Sequence, residues 1–240
     1  MFKFAREGYP FILIFSVITI LTLSFAKPLV IAAIPFSLTM FMFYFFRDPE
    51  RVTVEGGNLF YSPADGRVIL VRETTEDEIL NGKAVEVSIF MSVFNVHINR
   101  APCEGVVKRV DHYPGRFMAA FREEASKANE HITMLLHSGQ DKVVVRQVAG
   151  LLARRVVCRA KPGDVLMQGQ RFGMIKFSSR VDIFMPLTTQ VQVKTGDKVI
   201  AGETVLGIIG GIKTEENQPQ TLTDLKAIIG GERPVITDYT

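Results

Sequence analysis

Lys161-Pro162-Gly163-Asp164-Val165-Leu166-Met167-Gln168-Gly169-Gln170 and Lys194-Thr195-Gly196-Asp197-Lys198-Val199-Ile200-Ala201-Gly202-Glu203 are two versions of one ten-residue pattern, set 33 residues apart. In each copy a Gly-Asp turn precedes a short strand that ends at a second glycine. A duplicated unit of this kind predicts two similar β halves packed face to face. Outward from the pair, residues 67–72, 84–90, 105–110, 131–136, 142–148 and 153–158 are short, rich in Val and Ile and bounded by turn residues, so they read as strands. Residues 172–177 read as one more apolar strand, and residues 117–129 fit either a helix or a loop. The expected fold class is α+β, mainly β.

The 240 residues are 47% apolar, enough to bury a real core. A net charge of +3 is too weak to argue for nucleic acid as a partner. Arginine clusters such as Arg154-Arg155 point instead to phosphate or an anionic lipid surface. Cys103 and Cys158 are the only cysteines, and with four scattered histidines they offer neither zinc-ligand spacing nor a disulfide framework, so no metal is expected.

The stretch 10–46 is almost wholly apolar, broken only by Lys27-Pro28. Its halves, 11–26 and 29–46, contain 16 and 18 residues, slightly short of the ~20 that cross hydrocarbon. Two short spans or a re-entrant hairpin both fit. Lys3 and Arg6 before the pair and Arg47 and Arg51 after it place both ends on the cytoplasmic side. Ser24-Phe25-Ala26 also resembles a signal-peptide cleavage site. The second apolar run makes retention in a bacterial inner membrane the simpler outcome. Residues 1–46 are thus expected to anchor a domain spanning 47–240, which opens at Arg47-Asp48-Pro49, where proline ends a helix.

The repeat resembles that of barrel-sandwich hybrid domains such as the lipoyl and biotinyl carriers. Those carriers present a modifiable lysine in a Met-Lys-Met triplet, and Lys176 in Met174-Ile175-Lys176-Phe177 is the nearest counterpart. Its flanks differ, and Lys176 is expected to face solvent. A non-catalytic membrane-anchored adaptor or carrier is nevertheless the alternative reading of the fold. A membrane peptidase with similar Gly-Asp turns would need a His/Asp metal pair, which is missing from the sequence.

Five blocks carry a more specific resemblance. They are Phe45-Phe46-Arg47-Asp48-Pro49-Glu50-Arg51, Ser62-Pro63-Ala64-Asp65-Gly66, Asn95-Val96-His97-Ile98-Asn99-Arg100-Ala101-Pro102, the run from Ala149-Gly150 through Arg154-Arg155 to Cys158, and Arg171-Phe172-Gly173 followed by Ser178-Ser179-Arg180-Val181-Asp182. In this order they resemble the short bacterial and archaeal form of phosphatidylserine decarboxylase. The resemblance implies a self-processing lyase that converts phosphatidylserine to phosphatidylethanolamine and CO2. Its cofactor would be a pyruvoyl group made from Ser179, in place of pyridoxal phosphate and without metal. It also implies cleavage between Ser178 and Ser179, with the fragments 1–178 and 179–240 remaining associated as a heterodimer.

Residue roles follow from the same resemblance. Ser179 would attack the carbonyl of Ser178 and become the carbonyl that condenses with the substrate amine. The family has glycine where this chain has Ser178, which leaves Ser178 attacking Phe177 as a second possibility. Glycine reaches φ > 0 freely, whereas serine does so at roughly 1–2 kcal/mol. Asp65 would assist self-cleavage, although an Asp-Gly pair is also ordinary turn chemistry. A second histidine of longer relatives is replaced by Arg100, so Asp65 is expected to act through Arg100, water or His97. His97 would serve the decarboxylation step, although a lone histidine in a Val- and Ile-rich strand is more often a satisfied core residue than a catalyst. Arg100, Arg154 and Arg155 are candidates for substrate binding, with at most one of the adjacent pair reaching a lipid phosphate. His112, His131 and His137 are expected to be structural.

Overall fold

The computed structural model describes residues 3–25, 29–54, 56–151, 155–177 and 179–210. Ser178, Arg154, Lys27 and the tail 211–240, including the apolar stretch 225–229, lie outside the described residues.

A 3-10 turn, Arg6–Gly8, leads into α1 (Tyr9–Phe25), and a second, Leu29–Ala32, leads into α2 (Ala33–Phe45). Both helices are apolar on every face, the composition of a helix whose surroundings are not water. Leu13, Ile14, Leu21, Phe25 and Phe36 point outward, each at least half exposed. Where the helices meet, the Thr19 and Thr39 hydroxyl oxygens lie 2.9 Å apart, each also within hydrogen-bond reach of a carbonyl one turn back, so one hydroxyl donates to the other while its partner donates to its own helix. Arg6–Phe25 runs 20 residues with mean hydropathy 2.0, long and apolar enough to cross a membrane, whereas Val30–Phe45 is shorter. The first segment is therefore longer than the apolar run alone suggests, because Arg6–Gly8 extends it. Gly8 lets the base of α1 approach α2, since a Cβ there would sit 2.4 Å from Cγ of Phe46.

The rest is β structure. Eight antiparallel strands form one curled sheet in the order β13 (Lys198–Val199), β2 (Gly66–Glu76), β3 (Gly82–Met91), β11 (Ser179–Met185), β7 (Asp141–Val148), β6 (His131–Ser138), β5 (Gly105–Tyr113) and β9 (Val165–Leu166). A three-stranded sheet joins β4 (Ile98–Arg100), β10 (Arg171–Ile175) and β8 (Val156–Cys158), and another joins β1 (Leu59–Tyr61), β14 (Val205–Ile209) and β12 (Thr189–Val191). Val68, Val87, Ile89, Leu136, Val145, Phe172, Val181, Ile183 and Leu206 meet in one buried core. The mainly-β expectation holds, and all seven expected strands appear within a few residues of their read positions. Residues 117–129 form a loop with one helical turn, α3 (Ala125–Ala128).

The repeat organises the sheet edges. Copy one supplies β9 at one end of the eight-stranded sheet and copy two supplies β13 at the other. Their bonds correspond one for one. Gly163 N–H donates to Val107 O and Gly196 N–H to Val68 O, while Val107 N–H returns to Asp164 O and Val68 N–H to Asp197 O. Both leading glycines adopt φ near +100° (+97° and +100°), a conformation that side chains resist. The closing glycines, Gly169 and Gly202, meet each other beside Thr53, so a Cβ on Gly202 would lie 3.6 Å from Cα of Gly169. Duplicated turns thus terminate the edges that an open sheet would expose.

Candidate active site

Ser179 is the first residue of β11 and fully buried. Its register partner is Met91 in β3, and its hydroxyl lies 3.5 Å from the Met91 sulfur. Alternation along β11 separates two chemistries. Ser179, Val181 and Ile183 belong to the apolar interior. Arg180 and Asp182 face the other way into a buried ion network. There Arg180 bonds Asp182, Glu86 and Ser88, Asp182 accepts from Ser126 at 2.6 Å, and Arg146 bonds Glu76 and Glu78, each at 2.7 Å. These bonds clamp the loop bearing α3 onto the back of β11.

Phe177, two residues before Ser179, has φ +69°, one of two non-glycine residues with positive φ among those described. An L-residue held there carries roughly 1–2 kcal/mol of strain. The strain is held by packing: the Phe177 ring stacks on Phe45 at 4.6 Å, and Phe45 in turn covers the His97 ring at 4.2 Å.

His97 is completely buried. Its Nδ1 lies 3.0 Å from Asn95 O, and because a carbonyl only accepts, that nitrogen carries the proton. Nε2 therefore presents a lone pair, and it has no partner. Burial, with Arg47 nearby, pushes the imidazole down to about 4, so the ring is neutral at physiological pH.

Asp65 is also buried. One carboxylate oxygen accepts from Arg51 at 3.0 Å and the other from Ala201 N–H at 2.8 Å. Burial raises its pKa above the ordinary value despite these partners. Gly66, its neighbour, opens β2, and β3 separates β2 from β11, so Asp65 and Ser179 stand about two strand spacings, roughly 10 Å, apart. The structure does not bring them into contact.

Arg100 donates to Gly169 O and Pro49 O, both at 2.9 Å, with Asp48 at 3.8 Å. Its guanidinium thus holds the Arg47–Arg51 segment against the repeat rather than meeting Asp65. Arg171 assists by bonding Asp48 at 2.7 Å and Glu50 at 3.1 Å. Arg51, Arg100 and Arg171 line an open cleft of about 510 Å³ on the Asp65 side. Arg155 is exposed, and its carbonyl accepts from Lys176 N–H. Lys176 is half-buried with its ammonium 5.3 Å from the Phe11 ring centre, so it does not simply face solvent. His112 and His131 bond Glu130 and Glu78, each at 3.2 Å. Burial raises the Cys158 thiol to about 11 and the Cys103 thiol to about 12, far from nucleophilic at neutral pH. Among the described residues no group of three His, Cys, Asp or Glu could hold a metal ion.

Two buried amides escaped the sequence reading. Asn99 and Gln147 join at 2.7 Å, and Asn99 also approaches the Met91 sulfur beside Ser179, at 3.8 Å. Asn99 stood in a quoted block without a role. Gln147 follows Arg146 in a valine strand, and two adjacent polar residues there signal that both faces of β7 carry polar work.

A family model described as phosphatidylserine decarboxylase matches residues 38–207. The chain is 47% identical over 204 residues to a protein of Syntrophus aciditrophicus, covering 85% of this chain and 96% of that one. It is 44% identical over 208 residues to one from Desulfotalea psychrophila, with the same coverage. A Burkholderia ambifaria protein is 42% identical over 208 residues, covering 84% and 94%. All three relatives are named phosphatidylserine decarboxylase proenzyme.

Proposed function

Because the chain belongs to the phosphatidylserine decarboxylase family, we propose that it is a membrane-held proenzyme that cuts itself between Ser178 and Ser179 and then removes CO2 from the serine headgroup of phosphatidylserine. The observation carrying this reading is the placement of Ser179: a buried hydroxyl opening a strand, two residues after the strained Phe177, whose stack leads through Phe45 to His97.

In the cleavage step the Ser179 hydroxyl adds to the Ser178 carbonyl carbon, and its proton passes to the departing amide nitrogen, leaving an ester. Removal of the Cα proton of residue 179 expels the Ser178 carboxylate. The double bond left behind rearranges, takes up water and releases ammonia, which leaves a ketone. Asp65, its pKa raised by burial, is the base of this stage and acts from across β3 through a relayed proton.

The surroundings suit an amine brought to a pyruvoyl group at residue 179, since two buried acceptors, His97 Nε2 and Gln147 Oε1, lack partners and an amine supplies the N–H donors that the ketone does not. Once formed, it supplies a carbonyl that takes the substrate amine and draws in the electron pair freed as CO2 departs. His97 Nε2, held unprotonated, accepts a hydrogen bond from the entering amine group, and a proton that reaches the ring is passed on to the carbon that has lost its carboxylate. Its pKa of about 4 favours that transfer. Phe45 and Phe177 keep water away from the ring.

Residues 1–46 serve as the anchor and 47–240 as the catalytic part, on the cytoplasmic side of the inner membrane. After the cut, fragments 1–178 and 179–240 stay together because β11 lies between β3 and β7 of the large fragment. One of the adjacent pair Arg154 and Arg155, on the run following β7 in the sequence, is assigned to the lipid phosphate. Intact mass of the purified protein tests the reading. Two fragments, the smaller blocked at its N-terminus and reactive to hydroxylamine, are expected, with conversion of phosphatidylserine in vesicles. A folded single species of 26.8 kDa would favour the non-catalytic adaptor or a stalled proenzyme.

A further inference from the structure

Gln147 is 1% exposed, and its Oε1 has no hydrogen-bond partner. A relay of amides fixes which atom that is. The Pro63 carbonyl can only accept, so Asn99 turns its nitrogen toward it, at 3.4 Å, and offers its oxygen to Gln147 Nε2 at 2.7 Å. Gln147 Nε2 is drawn also to Val157 O, at 3.4 Å. Rotating either amide would set oxygen against oxygen, so Gln147 is locked with Oε1 left over. A buried acceptor without a donor is unfavourable, so this oxygen is suited to an N–H supplied by a ligand.

The register says what stands nearby. Gln147 pairs with Val181 across β7 and β11, and Ser179 lies two residues earlier on the same face, so Gln147 and Ser179 are diagonal neighbours, about 7–8 Å apart. Asn99 and Ser179 both approach the Met91 sulfur, at 3.8 and 3.5 Å. Gly173 leaves room for the amide, since a Cβ there would lie 2.8 Å from Gln147 Nε2 and 2.5 Å from Val157 O. His97 Nε2, the other unpartnered acceptor near the site, belongs to the segment leading into β4, the strand that carries Asn99.

We infer that Gln147 is a substrate-binding residue whose Oε1 accepts a hydrogen bond from the amine of the serine headgroup where it meets residue 179, with Asn99 as its positioning residue. This rests on the function proposed above and adds to it the means by which an amino headgroup is selected. A headgroup bearing hydrogen in place of the amine would leave Oε1 buried and unpaired.

The test is binding to the Ser179→Ala chain, which stays uncleaved. Short-chain phosphatidylserine is compared with an analogue carrying hydrogen where the serine amine stands. The Ser179→Ala chain should prefer the amine ligand about tenfold or more, and adding Gln147→Met should abolish that preference. Thermal melting of the Gln147→Met chain reports its folding independently of activity. If the methionine variant fails to fold, Asn99→Ala, which frees Gln147 to rotate, should reduce the preference. Equal binding of the two ligands by Ser179→Ala, or a preference that survives Gln147→Met or Asn99→Ala, overturns the inference. A wild-type chain that never cleaves sinks the proposed function instead, and the mass measurement tells the two failures apart.

Discussion

The ring of Phe45, the last residue of α2, lies 4.2 Å from the ring of His97. One aromatic contact therefore joins the apolar helix pair to the imidazole at the site, and the same ring stacks on Phe177. The apolar shell includes Phe46, Val96, Ile98 and Met174, so the helices form part of the wall around His97.

Opening that wall should retune the histidine. In Phe45→Ala, water reaches His97, and its pKa should rise from about 4 toward 6.5. A depressed histidine pKa contributes stability that is present above about 6.5 and is lost as pH falls through about 4. The variant should lose this acid sensitivity along with about 3–5 kcal/mol from the cavity. The acid limb of turnover should move upward in pH, with Phe45→Leu intermediate. An acid limb unmoved in both variants would show that Phe45 does not control the imidazole.

Three substitutions separate maturation from turnover. Ser179→Ala should remain one chain and inactive. His97→Ala should cleave itself normally yet lose about 10²–10⁴ in turnover. Asp65→Ala should slow the cleavage, and in the parent chain cleavage should slow on the acid side as the raised Asp65 carboxyl takes up its proton. Gel mobility follows cleavage and CO2 release follows turnover. Near-normal turnover in His97→Ala would remove its assigned role.

Much of the fold was legible because its signals are local. The Gly-Asp turns are read from four residues each, and the strands from Val and Ile content. At the candidate site the motifs named Ser179, His97 and Asp65; all three are buried, and Phe45 packs on both His97 and Phe177. Partners joined over long separations were hidden. Arg51 rather than Arg100 holds Asp65, because a strand register places Arg100 beside Gly169, 69 residues away. Asn99 and Gln147 meet across 48 residues, and neither carries a charge or spacing to advertise the pair. The left-handed turn at Phe177 was equally hidden, since phenylalanine is a poor signal for φ > 0.

That turn bears on maturation. Phe177 holds positive φ immediately before Ser178, the residue for which the resemblance drawn from the sequence implies glycine. Ser178→Gly should widen the conformations open to this junction and let the Ser178 carbonyl reach attack geometry at lower energy. A gain of about 1.4 kcal/mol would quicken self-cleavage tenfold. Time courses of fragment appearance in freshly synthesised chain measure it. A slower Ser178→Gly would mean that serine is the better residue at this junction.

Behind the same strand, Asp182 connects Arg180 to Ser126 and so joins β11 to the loop bearing α3. Asp182→Asn keeps the shape but leaves Arg180 and Arg146 in a buried network short of one negative charge. Breaking one side of a buried pair costs about 3–5 kcal/mol, which in a domain of this size lowers Tm by roughly 10 °C. The loss should be uneven. Amides of residues 117–128 should exchange faster, because the loop is fastened through Ser126 and through the bond from Arg180 to Arg122 O. Self-cleavage should slow in step, since Ser179 is held at the end of the strand that the network clamps. Unchanged exchange across 117–128 with slowed cleavage would place the aspartate's influence at Ser179 itself rather than in the clamp.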